Sequence, residues 1–179
     1  MSDHVMIDIE TMGKGGNAAI LSIGAVKFNP LNVGEPIEDR FQVGVTMESC
    51  VRHGLTLDAS TVEWWLHPDR RPAWDDYLLL QRVDLWEALE GFSRWFGPQS
   101  LPTWGNGATF DNVILRNAYA ATDQECPWKF YDDRCYRTLK NLASEIKIER
   151  LGTHHSALDD ALSQATHLQQ IYTYMGLEA

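Results

Sequence analysis

Apolar and polar positions along the first quarter of the chain follow short, strand-like patterns. "HVMIDI", "AAILSIGAVKF" and "RFQVGVTM" are β-rich runs joined by the turn-rich "MGKGGN" and "NPLNVGEP", and they predict three antiparallel strands. The period then changes. "DASTVEWWLH" predicts a helix with Ser60 and Glu63 as a capping box, and "DLWEALEGFSRWF" sets Leu85, Leu89, Phe92 and Phe96 on one helical face. "LPTWGN" predicts a short buried strand and "TFDNVILRNAYAA" a helix capped by Thr109. "YRTLKNLASEI" and "SALDDALSQATHLQQIYTYM" predict two further helices. Strands first, then alternating helix and strand, imply an α/β fold with a mixed sheet flanked by helices.

Several polar residues interrupt these patterns. Asp8 and Glu10 are two apart in an apolar strand, so they share one face at about 7 Å Cα spacing while Ile7 and Ile9 take the other. A half-exposed strand would also carry such a pair. The apolar neighbours make this a central strand, however, and two adjacent carboxylates repel unless a cation or a proton intervenes. Their hard oxygens suit magnesium or manganese. The nearby "GKGGN" lacks the spacing of a phosphate-binding loop and leads into a strand, so it reads as a hairpin turn.

Asp111 borders the stripe Phe110, Ile114, Ala118 and Ala121, although acids in a first turn also complement the helix dipole. In the last helix the stripe Ala157, Ala161, Ala165, Leu168, Tyr172 and Met175 has its centre about 100° from Asp160 and about 160° from Asp159. Asp160 therefore flanks the packed side and Asp159 points to water. His154 and His155 precede the helix, where helical phase does not choose between them.

Composition narrows the setting. The 179 residues are 44% hydrophobic and 22% charged, enough for one domain with a sizeable core. No leader and no apolar run of about 20 residues is present, and Cys50, Cys126 and Cys135 form no C-x-x-C pair. A cytoplasmic protein without membrane association or disulfides is expected. The net charge of -10 argues against a sequence-independent polyanion binder. It does not exclude nucleic acid, because carboxylates gathered around cations are acidic only by formal count.

Taken together, Asp-x-Glu in "DIET", the Asp in "NGATFDNVIL" and His-x4-Asp in "HSALDDA" resemble the three motifs of the DEDDh exonucleases. These are 3′-5′ enzymes of ribonuclease H-like fold, including polymerase proofreading subunits, ribonuclease T and oligoribonuclease. The resemblance covers nearly the whole chain. "TVEWWL", "WGNGATFDNVIL" and "DRCYRTL" are more similar to the small ribonuclease T-like and exonuclease VIII-like branch. It implies a single exonuclease domain over residues 1–179, with three antiparallel strands followed by parallel ones.

Residue by residue, the resemblance implies that Asp8, Glu10, Asp111 and Asp160 hold two divalent cations, Mg2+ or Mn2+, and that His155 is the general base. His154 and Asp159 fall beside the pattern. Near its unperturbed pKa of about 6.5, His155 would accept a proton from the attacking water at neutral pH. The product would be nucleoside 5′-monophosphates from single-stranded 3′ ends of DNA or RNA.

The family also implies that the backbone from Glu10 to Met12 lines the terminal nucleotide, with Thr11 near the sugar and Met12 against the base. A homodimer follows from the ribonuclease T likeness. Trp64 and Trp65 offer rings for base stacking, with core or subunit packing the stronger expectation among seven tryptophans. Arg70, Arg71, Arg134, Arg137 and Lys140 are candidate phosphate contacts. Two rivals stay open: a non-catalytic ribonuclease H-like module that binds nucleic acid or protein, and a hydrolase of very short oligonucleotides.

Overall fold

The computed structural model describes residues 3–178. Three strands open the fold: β1 (His4–Thr11), β2 (Ile20–Phe28) and β3 (Arg40–Val45). Short helices α1 (Met47–Arg52), α2 (Ala59–Trp65) and α3 (Arg71–Leu79) lead to β4 (Arg82–Val83) and α4 (Leu85–Phe96). Then come β5 (Thr103–Gly105), α5 (Asp111–Ala121), β6 (Asp133–Cys135), α6 (Tyr136–Leu142) and α7 (Ala157–Met175). The strands form one sheet in the order β4-β3-β2-β1-β5-β6. β2 runs antiparallel to both of its neighbours, β1 and β3, whereas β5 joins β1, β6 joins β5 and β4 joins β3 in parallel.

β1 is interior, and strand alternation divides its side chains between two cores. Ile7 and Ile9 pack with Leu21, Ile23 and the apolar faces of α4 and α5, including Leu85, Leu89, Phe92, Ile114 and Leu115. Met6 packs with Val26, Phe28 and Trp104 against Ala161, Ala165, Leu168 and Ile171 of α7. Asp8 and Glu10 alternate in phase with Met6 and so emerge toward α7. The "GKGGN" segment is a hairpin turn, closed by Met12 N–H donating to the Ala19 carbonyl at 2.8 Å. Among the described residues no helix is long and apolar enough to cross a membrane. Cys50 is buried, Cys126 and Cys135 partly so, and all three are free.

Local expectations fail where tertiary contacts outcompete them. The Ser60/Glu63 capping box does not form: α2 starts two residues earlier, at Ala59 behind Asp58, whose Oδ2 instead accepts the Lys14 N–H of the hairpin at 2.7 Å. Thr109 does not cap α5, which begins at Asp111 after Phe110; the entry turn is held by Phe110 N–H to the Gly107 carbonyl at 2.7 Å. α6 stops at Leu142 because the chain turns to bury Ala143 and to set the Ile146 carbonyl 2.9 Å from His167 Nε2. Met175, placed in the α7 stripe by periodicity, lies at the exposed end of that helix. The two-residue β4 and three-residue β6 are edge strands too short to show a period.

Candidate active site

Three elements deliver four carboxylates to one cleft of about 310 Å³, lined by Asp8, Glu10, Asp111 and Asp160 among others. Asp8 and Glu10 come from the middle and end of β1. Asp111 opens α5, whose first turn presses against Gly105 of β5; a Cβ there would lie 2.9 Å from that of Asp111. Its Oδ1 accepts the Ile9 N–H at 3.3 Å, which ties the helix start to β1. Asp160 lies in the first turn of α7, and that end of the helix packs on β2 at Gly24. Oxygens of Asp8, Glu10 and Asp160 lie within 4.8 Å of one another.

So many buried acids are strained electrostatically. Burial above all, then the charges of Asp111 and Asp160, holds Asp8 well above the ordinary carboxylate range. Glu10 is raised by burial and then by Asp8, Asp160 and Asp111. Burial lifts Asp111 to about 7, against the opposing pull of the Ile9 N–H. A cation removes this repulsion, and an all-oxygen donor set fits a hard divalent ion.

The loop before α7 is held by α7 itself. Asp159 is not directed into water as its helical phase suggests: its Oδ2 accepts the Thr153 N–H at 2.8 Å. Ser163 Oγ accepts the Leu151 N–H at 2.9 Å and donates to the Asp159 carbonyl at 2.7 Å. Both oxygens of Asp160 are engaged, Oδ1 by Arg150 Nη1 at 2.6 Å and Oδ2 by the His155 N–H at 3.0 Å. His155 has a left-handed backbone (φ 67°) and stacks on His154 with ring centroids 3.8 Å apart. Burial, followed by His154, Arg70 and Arg150, pushes the His155 pKa down to about 4, with only Asp160 opposing them. The expected value near 6.5 is thus replaced by a ring that is neutral throughout the physiological range.

The residues expected to contact substrate divide among several surfaces. Trp64 is 37% exposed and meets His155 at right angles, 4.9 Å between centroids, while the Arg70 guanidinium covers its ring at 4.3 Å. Trp65 is 5% exposed and joins the core, its indole N–H donating to the Thr11 carbonyl at 3.0 Å. Both tryptophans, with Thr11, Lys14 and Phe110, line a second hollow of about 290 Å³ that shares Ile9, Glu10 and Phe110 with the acid cleft. The Thr11 hydroxyl donates to the Gly13 carbonyl at 2.8 Å, and Met12 faces an apolar groove beyond Trp65.

Of the basic candidates only Arg137 lines the acid cleft, where it donates to the Asn106 carbonyl. Arg71 pairs with Asp75, Arg134 donates to the Tyr131 carbonyl, and Lys140 lies near the Tyr136 ring. Arg150, Asn106 and Gln164 line the cleft without having been singled out by sequence. Only Gln164 carried a local signal, one turn after Asp160 on the same helix.

The model of the Rv2179c-like 3′-5′ exoribonuclease domain matches residues 3–172. The chain belongs to this family. No curated protein matches it in sequence. The Rv2179c-like domain is similar in structure to the zinc-bound E. coli exonuclease I–ssDNA complex, at TM-score 0.64 and 13% identity over 98% of this chain. It spans 41% of the length of that exonuclease I chain. It is also similar to the nuclease domain of 3′hExo, a DEDDh family member bound to rAMP, at TM-score 0.63 and 15% identity over 97% of this chain and 92% of that one. The Rv2179c-like chain thus has the ribonuclease H-like fold expected from its motifs, with mixed sheet and flanking helices. Its family is one of 3′-5′ exonucleases.

Proposed function

We propose that residues 1–179 form a single exonuclease domain that removes nucleoside 5′-monophosphates from single-stranded 3′ ends, with RNA the preferred substrate. The carrying observation is the convergence of Asp8, Glu10 and Asp160 oxygens within 4.8 Å, beside His155 and Asp111 in one cleft. The exoribonuclease description of the family favours RNA, and the similar proteins bound to ssDNA and rAMP favour a single-stranded end. We further propose a cytoplasmic homodimer, which free cysteines and the ribonuclease T likeness support and sedimentation tests.

Asp8, Glu10, Asp111 and Asp160 would hold two divalent cations, Mg2+ or Mn2+. When bound, these supply Lewis-acid polarisation of the scissile phosphate and charge for the leaving 3′ oxygen. His155 is neutral at pH 7 and has a ring lone pair free to take the proton of the attacking water. Its peptide N–H on Asp160 ties the base to an acid of the cluster. The hollow lined by Phe110 and Trp64 would take the terminal nucleoside, and Arg137 and Arg150, which line the acid cleft, would supply positive charge to the phosphates.

The test is release of mononucleotides from end-labelled oligonucleotides, with matched RNA and DNA, single and double strands, a length series, and Mg2+ or Mn2+. Metal-dependent release from single-stranded RNA 3′ ends is expected. No release under any condition would favour a binding module, and release confined to the shortest substrates a hydrolase of short oligonucleotides.

A further inference from the structure

α7 presents a small, apolar surface to the sheet through Ala161, Ala165, Leu168 and Ile171. Gln164 interrupts it and is only 3% exposed. The other buried polar side chains of this helix bind loops or neighbouring helices. Ser163 engages Leu151, His167 engages Tyr136 and Ile146, and Gln169 donates to the Asn29 and Asn32 carbonyls. Gln164 differs in that its hydrogen-bond partner is an acid of the cleft: Nε2 donates to Asp8 Oδ1 at 2.7 Å. Its other amide atom, Oε1, is buried without a partner. With Asp8 ionised, as cation binding requires, the opposite amide orientation would set two acceptors against each other, so the donor faces the carboxylate.

An apolar residue here would match the rest of the α7 surface and leave no orphaned carbonyl, so packing does not account for a glutamine. We infer that Gln164 is a positioning residue for the acid cluster, its Nε2 holding Asp8 Oδ1 and thereby setting the direction in which Oδ2 faces Glu10 and Asp160. This rests on the cation-binding reading given above. A carboxylate on an interior strand can still rotate about its side-chain bonds. A fixed donor on a rigid helix selects one orientation before any ligand arrives.

Calorimetric titration of the protein with Mn2+ alone, with no substrate, tests the inference on wild type, Asp8→Asn and Gln164→Met. Methionine keeps length and bulk but has no donor. Gln164→Met should bind Mn2+ on the order of ten- to a hundredfold more weakly. With oligonucleotide, it should lose turnover at limiting Mn2+ at unchanged KM, while its metal-free melting temperature stays at or above that of wild type. Wild-type Mn2+ affinity in Gln164→Met overturns the inference alone, whether or not metal-free stability falls. Wild type that binds no Mn2+ overturns the cation reading and this inference with it. Should Gln164→Met fail to fold, Gln164→Asn, an amide one methylene shorter, is expected to show the same weakening, and wild-type affinity there is equally decisive against it.

Discussion

Gly24 stands opposite Asp8 across the β1–β2 ladder, and a Cβ at Gly24 would fall on the backbone of Ala157 and Leu158. The first turn of α7 therefore reaches the acid cluster through the space of a missing methyl group. Gly24→Ala must push that turn away from the sheet. Overpacking against backbone should lower stability by at least about 2 kcal/mol, roughly 4–8 °C in melting temperature. It should also draw Asp160 away from Asp8 and weaken Mn2+ binding. A variant that melts and binds like wild type would show that α7 is not seated at this position.

The rings of His155, the proposed base, and His154 are stacked, and the proposal gives them different roles. His155→Ala should reduce turnover by about 10²–10⁴ with Mn2+ binding retained, as for loss of a general base. His154→Ala should have a much smaller effect. Steady-state kinetics on both, paired with Mn2+ titration, decide the assignment; equal losses in the two variants would remove it.

Stability without a cation should depend on pH through Asp111. Its folded pKa, about 7, lies above its unfolded value, so between these values the folded state binds more protons. Its stabilisation is complete below about pH 4 and is lost as pH rises toward 7. Asp8 and Glu10 act in the same sense, whereas His4 and His155, lowered to about 4, lose stability as pH falls from 6.5. Comparison of Asp111→Asn with wild type reports this acid together with its repulsion of Asp8 and Glu10. The variant should be the more stable at pH 8 in chelator, the gap should close toward pH 4, and Mn2+ should favour wild type. A gap independent of pH would refute the burial effect.

Arg150 is bound to Asp160 at 2.6 Å and, in the proposed site, would compete with a cation for that carboxylate. Arg150→Ala should destabilise the metal-free protein by about 1 kcal/mol, since the arginine is half-exposed and the pair partly screened. The same change should tighten Mn2+ binding and raise the KM for oligonucleotide. Weaker Mn2+ binding in this variant would place Arg150 among the residues that support the cation site.

Strand alternation put Asp8 and Glu10 on one face, and helical phase set Asp160 on the packed side of α7; both follow from 2.0 and 3.6 residue periods that any segment carries locally. The order of the longer strands and helices was legible for the same reason, whereas α1, α3, β4 and β6 were not read from the sequence. The caps at Ser60 and Thr109 were misread because a contact with Lys14 and a turn at Gly107 act from outside the local pattern. Asp159 facing Thr153, Arg150 on Asp160, Trp64 over His155 and Gln164 on Asp8 were decided only by tertiary structure. The last pair lies 156 positions apart. No period links such residues; what joins them is the close seating of α7 on β2, which Gly24 permits. Sequence by itself determined which acids share a face, and packing decided which side chains orient them.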